Sequence, residues 1–281
     1  MIIYNESIKL KPKQNLYVVP IGDIQGDEEL DRFKEFIQWC VDLQKQGHMV
    51  RVFGTGDYFE TFSPSERAAL VSAKGGYGMH ETTVKKMDAD VQAQCDQFCE
   101  MVWPIRKNIA GLLRGHHYKD PFVPKGAKFA ISTDQYMTEK LGCQYFGDVL
   151  NYRLLINGLP FEIFANHGFG GGYLTGGKVN RRLRMRETYL MANWYVSGHD
   201  NEKMVLVKEP MIRDETGVDV TYLKQYFSGV GCFQRAYTIG EPHGGYAERA
   251  LYSPAVIGVV VGRISVAEKH GRKRLDYHVS T

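Results

Sequence analysis

Two periods of apolar and polar residues alternate along the chain. Leu16–Ile21 (LYVVPI), Met49–Phe53 (MVRVF) and Ile109–Leu113 (IAGLL) are short apolar runs that read as buried strands. Phe33, Phe36, Ile37, Trp39, Cys40 and Leu43 recur at helical spacing instead and predict a helix over Leu30–Gln44, with Glu28 and Asp31 near its start. Ser63-Pro64-Ser65-Glu66 reads as a helix start with proline in the first turn, Gly75-Gly76-Tyr77-Gly78 as a loop, and Val84–Trp103 as a long helix ended by Pro104. Pro121, Pro124 and Gly126 mark a loop, and Thr133–Leu141 a further helix. Tyr152–Ile156 and Phe161–Ala165, joined at Asn157-Gly158, form a predicted hairpin. A helix over Arg181–Asn193 leads to a strand at Trp194–Ser197. From Met204 onward the pattern is mostly strands, with candidates at Val205–Val207, Val218–Tyr222 and the apolar run Ala255–Val261. The fold class is α/β, with no repeats and no low-complexity linker.

The feature that carries chemistry is where the strands end. Five apolar runs stop at a glycine or histidine beside a metal-capable side chain: Asp23, Asp57, His116-His117, His167 and His199. Four of the nine histidines fall there, too many for isolated surface or core histidines. In α/β sheets ligands gather at the carboxyl ends of strands, so five such loops can converge on one edge. Glycine beside each ligand lets the backbone turn sharply and come close to an ion.

Composition adds exclusions. At 281 residues and 43% hydrophobic content the chain can bury a sizeable core, and 24% charged residues argue against global disorder. A net charge of +3 is compatible with nucleic acid without requiring it. The five cysteines (Cys40, Cys95, Cys99, Cys143, Cys232) contain no CxxC pair, which speaks against a disulfide framework and a zinc ribbon; Cys95 and Cys99 read as small buried side chains. No secretory signal and no apolar stretch of the ~18 residues needed to span a bilayer are visible, so a cytoplasmic, reducing location is expected.

In chain order the motifs are Asp23-Ile24-Gln25, Gly56-Asp57, Gly115-His116-His117, His167-Gly168 and Gly198-His199-Asp200-Asn201. Over residues 16–203 this resembles the calcineurin-like metallophosphoesterase superfamily, whose pattern is Asp-x-His, Gly-Asp, Gly-Asn-His, a lone His and Gly-His-x-His. The resemblance implies a four-layer αββα sandwich of two mixed sheets flanked by helices, as one domain over 1–281. Long insertions at about 62–107 and 120–150 could form a partial cap. It also implies two metal ions bridged by Asp57, with Asp23 on the first, His167 and His199 on the second, and His117 as the catalytic histidine.

Three positions depart from the family. Gln25 and Asn201 stand where it has histidines, and His116 where it has asparagine. The first site would then be Asp23, Gln25, Asp57 and Asn201, rich in oxygen and suited to Mn²⁺ or Mg²⁺. The second would be Asp57, His116, His167 and His199, suited to Zn²⁺ or Fe. The opposite reading is a fold that has lost its chemistry. Asp27 and Asp200 are substitute ligands or, more simply, solvated loop acids.

Gly172–Lys178 has the spacing of a phosphate-binding P-loop, but Val179 stands where Mg²⁺ binding needs Ser or Thr, so Gly168–Gly177 reads as a flexible loop beside the metals. The basic run Lys178, Arg181, Arg182, Arg184, Arg186 is either a contact for substrate phosphates or a solvated helix face. Tyr58, Phe59, Tyr118, Phe169 and Tyr173 flank the ligands and either stack a base or pack. The C-terminal part, with Tyr237, Tyr246, Glu248 and Arg249, carries no chemical motif; its broad character resembles phage-encoded members of the superfamily. Three functions are carried forward: a phosphodiesterase on nucleic acid or nucleotide, a phosphomonoesterase on a small metabolite or phosphoprotein, and a catalytically silent binding module.

Overall fold

A computed structural model describes residues 1–281 except 26–29, 77–78, 171–173, 214–216, 235–236, 238–239, 241–247, 249–250, 252 and 270, and the side chains of 71, 73–76 and 269. Asp27, Glu28, Tyr77, Gly78, Gly172, Tyr173, Tyr246 and Arg249, singled out above, lie outside the described residues.

In chain order the elements are β1 (Ile2–Ile8), β2 (Leu16–Ile21), α1 (Leu30–Lys45), β3 (Met49–Gly54), α2 (Pro64–Gly76), α3 (Glu81–Val102), a 3-10 turn (Trp103–Asn108), β4 (Ile109–Leu113), α4 (Thr133–Leu141), β5 (Gln144–Gly147), β6 (Val149–Ile156), β7 (Leu159–Asn166), α5 (Thr175–Thr188), β8 (Trp194–Ser197), β9 (Lys203–Lys208), β10 (Met211–Arg213), β11 (Val220–Tyr222), β12 (Gln225–Cys232), β13 (Gly258–Val259), β14 (Val261–Lys269) and β15 (Arg272–Ser280). They build two large sheets. One has the order β15-β14-β2-β3-β4-β5; the other runs β1-β6-β7-β8-β12-β13, with β9 also paired to β12.

Layering follows from which way alternate residues point. Leu16 and Val18 of β2, Phe53 of β3 and Leu113 of β4 face Leu150, Tyr152 and Leu154 of β6, Ile163 of β7, Trp194 of β8 and Tyr226 of β12, making a core between the sheets. The intervening residues Val19, Ile21, Val50, Val52 and Leu112 face outward against Phe33, Ile37 and Cys40 of α1, Cys95, Phe98 and Val102 of α3, and Met137 and Leu141 of α4. On the far side Phe164, Tyr195 and Phe227 pack against Met185 of α5. Strands buried on both faces carry apolar residues at every position, which is why these runs lack alternation in sequence. The result is a four-layer αββα sandwich. Among the described residues no helix is long and apolar enough to cross a membrane.

Three expectations differ from what is seen. α2 continues through Gly75 and Gly76, where the glycines predicted a loop; its start is fixed by a reciprocal cap, Glu66 N–H donating to Ser63 Oγ at 3.3 Å and Ser63 N–H to Glu66 at 2.7 Å. α5 spans Thr175–Thr188, not Arg181–Asn193, so Gly176 and Gly177 form its first turn instead of a loop. The run Ala255–Val261 is not one strand: Gly258–Val259 form β13 and Val261 begins β14, with Val260 between them outside either. Within residues 120–150, α4 packs into the helix-side core and β5 is an edge strand of the first sheet.

Candidate metal centre

β2, β3 and β4 are parallel neighbours in one sheet, and β7 and β8 are parallel in the other. Their carboxyl ends deliver Asp23, Asp57, His116, His117, His167 and His199 to one edge, where the two sheets are stitched together. His199 N–H donates to the Asp23 carboxylate at 2.8 and 3.0 Å, and the His167 Nδ1–H to the Thr55 carbonyl at 2.8 Å. Asp57 Oδ1 accepts the N–H groups of His116 at 2.6 Å and His117 at 2.9 Å. Glycine is required for that last contact: a Cβ on Gly115 would lie 2.1 Å from Asp57 Oδ1 and 2.2 Å from its backbone nitrogen.

Backbone conformation marks the same loops. Eight described non-glycine residues have positive φ, and five of them are Asp23, Gln25, Asp57, His199 and Asn201. Left-handed backbone at a residue with a Cβ costs on the order of 1–3 kcal/mol and persists only where surroundings over-determine it, typically at functional sites.

The donor set fits metal ions. The ligand atoms of His116, His167 and His199 lie within 4.8 Å of one another, and so do those of Asp23, Asp57 and His167. Among the described residues, two buried atoms of the expected ligands have no hydrogen-bond partner, His167 Nε2 and Asn201 Oδ1. With Nδ1–H committed to the Thr55 carbonyl, the neutral His167 ring turns a lone pair at Nε2 toward Asp57 Oδ2, 3.0 Å away. Two acceptors that close require a proton or a cation between them, and a second ring nitrogen held by a carbonyl is how metal-bound histidines are oriented. His116 and His199 bring their Nδ1 atoms to 3.0 Å, another meeting of lone pairs unless one ring donates.

Charge in the bare site is correspondingly frustrated. Burial pushes Asp23 up to about 8, with Asp57 adding to the rise and His167 opposing it. Burial raises Asp57 too, but the charge of His167 and the His117 N–H outweigh it and hold the carboxylate well below its usual range. Burial lowers His167, yet Asp57 and Asp23 bring it up to about 9. His116 falls to about 4 through burial and the neighbouring positive rings, and His199 is lowered by burial and His167.

His167 is near both sets of ligand atoms, and Asp57, whose Oδ1 accepts two N–H groups, keeps Oδ2 beside His167. Asn201 lies in the His199 loop with its oxygen unpartnered, and Gln25 sits part-buried in the Asp23 loop. Tyr58 and Phe59 are buried in the helix-side core, whereas Phe169 is 71% exposed.

Two residues near His117 were missed in the sequence. Glu60 Oε1 lies 3.1 Å from His117 Nδ1, and its charge, with that of Asp57, raises His117 against the lowering by burial. Its position three residues after Asp57 was the available signal. Arg67 of α2 donates to the carbonyls of His116 (2.6 Å) and Tyr118 (3.2 Å) and stacks on the Tyr118 ring at 3.9 Å. Only the fold reveals it.

Three residues of the basic run, Lys178, Arg181 and Arg182, are turned inward, whereas Arg184 is exposed. Lys178 pairs with Glu202 at 2.7 Å, Arg181 and Arg182 both pair with Asp200, and Arg182 is 1% exposed. Asp200 is therefore an ion-paired residue and not a solvated acid.

No family model and no curated relative matches the chain. Among solved structures it is similar to vacuolar protein sorting 29 from Cryptosporidium parvum (14% identity, 95% of this chain and 98% of that one, TM-score 0.37). It is also similar to Vps29 from Entamoeba histolytica complexed with Zn²⁺ (11% identity, 95% and 99%, TM-score 0.34). A third is a conserved uncharacterized protein of Streptococcus pneumoniae TIGR4 described as a predicted phosphoesterase (11% identity, 94% and 98%, TM-score 0.33). These TM-scores all lie below 0.5, so the site is read from its own residues. In its αββα architecture and in the chain order of its ligand loops, the chain resembles the calcineurin-like metallophosphoesterase superfamily.

Proposed function

We propose that this chain is a metal-dependent phosphoesterase hydrolysing phosphate esters at a two-ion centre, with phosphodiesters of nucleic acid or nucleotide favoured. The observation that carries the reading is the pair of buried, partnerless atoms, His167 Nε2 and Asn201 Oδ1, within loops that also gather Asp23, Asp57, His116 and His199. Asp23, Gln25, Asp57 and Asn201 would hold Mn²⁺ or Mg²⁺; Asp57, His116, His167 and His199 would hold Zn²⁺ or Fe. Bound divalent cations would polarise phosphoryl oxygens and lower the pKa of water at neutral pH. His117, oriented through Nδ1 by Glu60 and the Thr61 carbonyl at 3.3 Å, keeps Nε2 available to protonate the leaving oxygen.

A silent binding module is the rival of another class. It was to act through the Arg181–Arg186 region, and the inward pairing of Arg181 and Arg182 counts against it. The test is elemental analysis together with hydrolysis of a chromogenic phosphodiester and monoester under added Mn²⁺. Bound metal with faster diester turnover supports the proposal; faster monoester turnover favours the phosphomonoesterase reading; a folded protein with neither metal nor turnover sinks it.

A further inference from the structure

Asp200 lies between His199 and Asn201, whose φ values are +76° and +55°. Two left-handed residues flanking one position will not hold their shape unaided. What holds them is a set of cations on α5. Arg182 Nη2 donates to Asp200 Oδ1 at 2.5 Å, and Arg181 Nη2 to Oδ2 at 3.3 Å. Lys178 Nζ donates to the Asp200 carbonyl at 3.3 Å. Arg181 also donates through Nη1 to the carbonyls of Phe169, at 2.5 Å, and Gly170, in the loop after His167. One helix thus ties together two ligand loops from neighbouring strands. Room for this has been built: a Cβ at Gly229 of β12 would lie 2.3 Å from Arg182 Nη2 and 2.8 Å from its Cζ. Burying a guanidinium almost completely is costly even when paired, so its retention is better explained by geometry than by stability.

We infer that Arg181, Arg182 and Asp200 are positioning residues that set the His199–Asn201 loop and the loop after His167, and thereby the affinity of the metal sites to which His167, His199 and Asn201 belong. This rests on the reading of those loops as metal ligands. The test is calorimetric titration of Mn²⁺ and Zn²⁺ into the metal-free full chain and into Arg181→Gln, Asp200→Asn, Arg182→Met and Arg182→Lys. Arg184→Gln, on the same helix and paired, among the described residues, with the exposed Glu187, is the control. The expected result is a 10- to 100-fold loss of affinity for at least one of the two ions, the usual scale for residues that orient ligands. Arg182→Lys should recover part of what Arg182→Met loses, and the control should match the unsubstituted chain. Arg181 is 24% exposed, so Arg181→Gln removes the tethers without emptying a buried site and keeps the test valid if Arg182→Met does not fold. Two ions bound equally tightly by Arg181→Gln and by the unsubstituted chain would overturn the clamp and leave the metal reading standing. No ion bound by the unsubstituted chain would overturn both.

Discussion

His167 points a partnerless Nε2 at Asp57 Oδ2 across 3.0 Å, while its other ring nitrogen is held by the Thr55 carbonyl. Without a metal that contact is an ion pair between protonated His167 and Asp57, and an ion bound there takes the place of the proton. Binding to the folded form alone stabilises by about 2.7 kcal/mol at a metal concentration a hundred times Kd. At this chain length that corresponds to a rise in Tm of roughly 5–10 °C. Thermal melts with and without Zn²⁺ should show the rise, and His167→Ala should abolish it. An equal rise in the variant would show that the ion binds elsewhere.

His117 and Glu60 should separate chemistry from metal binding. If His117 protonates the leaving oxygen, His117→Asn lowers kcat by about 10²- to 10⁴-fold. The loss should be larger for an alkyl leaving group than for nitrophenolate, which needs little proton assistance. Glu60→Gln should show the same trend more weakly, with the metal content of both variants unchanged. A loss independent of the leaving group would remove His117 from the role of acid.

Phe169 offers a test of substrate class. Its ring is 71% exposed two residues from His167, and its carbonyl is pinned by Arg181, so a flat apolar surface is held beside the ligand loops. Stacking a base on such a ring contributes about 1–3 kcal/mol. Phe169→Ala should therefore raise KM for a dinucleotide roughly 5- to 150-fold and leave a methyl phosphodiester unaffected. Equal effects on both, or none, would argue against nucleotide recognition here.

How far the sequence carried this structure depends on range. The loops at Asp23, Asp57, His116, His167 and His199 were readable because each follows an apolar run that ends abruptly, a local signal. The helices α1, α3 and α4 were readable from spacing. Lys178, Arg181 and Arg182 looked like a surface run because nothing local showed that Asp200 and Gly229 receive them, 18 to 47 residues on. Arg67 was invisible for the same reason, its partners His116 and Tyr118 lying 49 and 51 positions away. β1 and β15 carry mixed polar patterns because each lies at the edge of its sheet.

Asp134 yields a prediction about stability in place of activity. It sits in the first turn of α4, 1% exposed, with Oδ2 lacking a hydrogen-bond partner. A helix N-terminus favours the anion, but burial outweighs it and, with the charge of Asp57, lifts the group from 3.8 to about 7. The sign follows from proton uptake: across this window the folded chain holds a proton that the unfolded chain has lost. The stability Asp134 contributes is present below pH 3.8 and falls away as pH rises to about 7. Asp134→Asn keeps the shape of the neutral acid and cannot lose its proton. Relative to the natural chain, the variant should gain with rising pH, by an amount on the order of 4 kcal/mol between pH 4 and pH 8. Urea denaturation at the two pH values measures this directly. A difference between the two proteins that stays constant across that range would mean that Asp134 is already ionised in the folded chain, with a cationic partner supplied at the site.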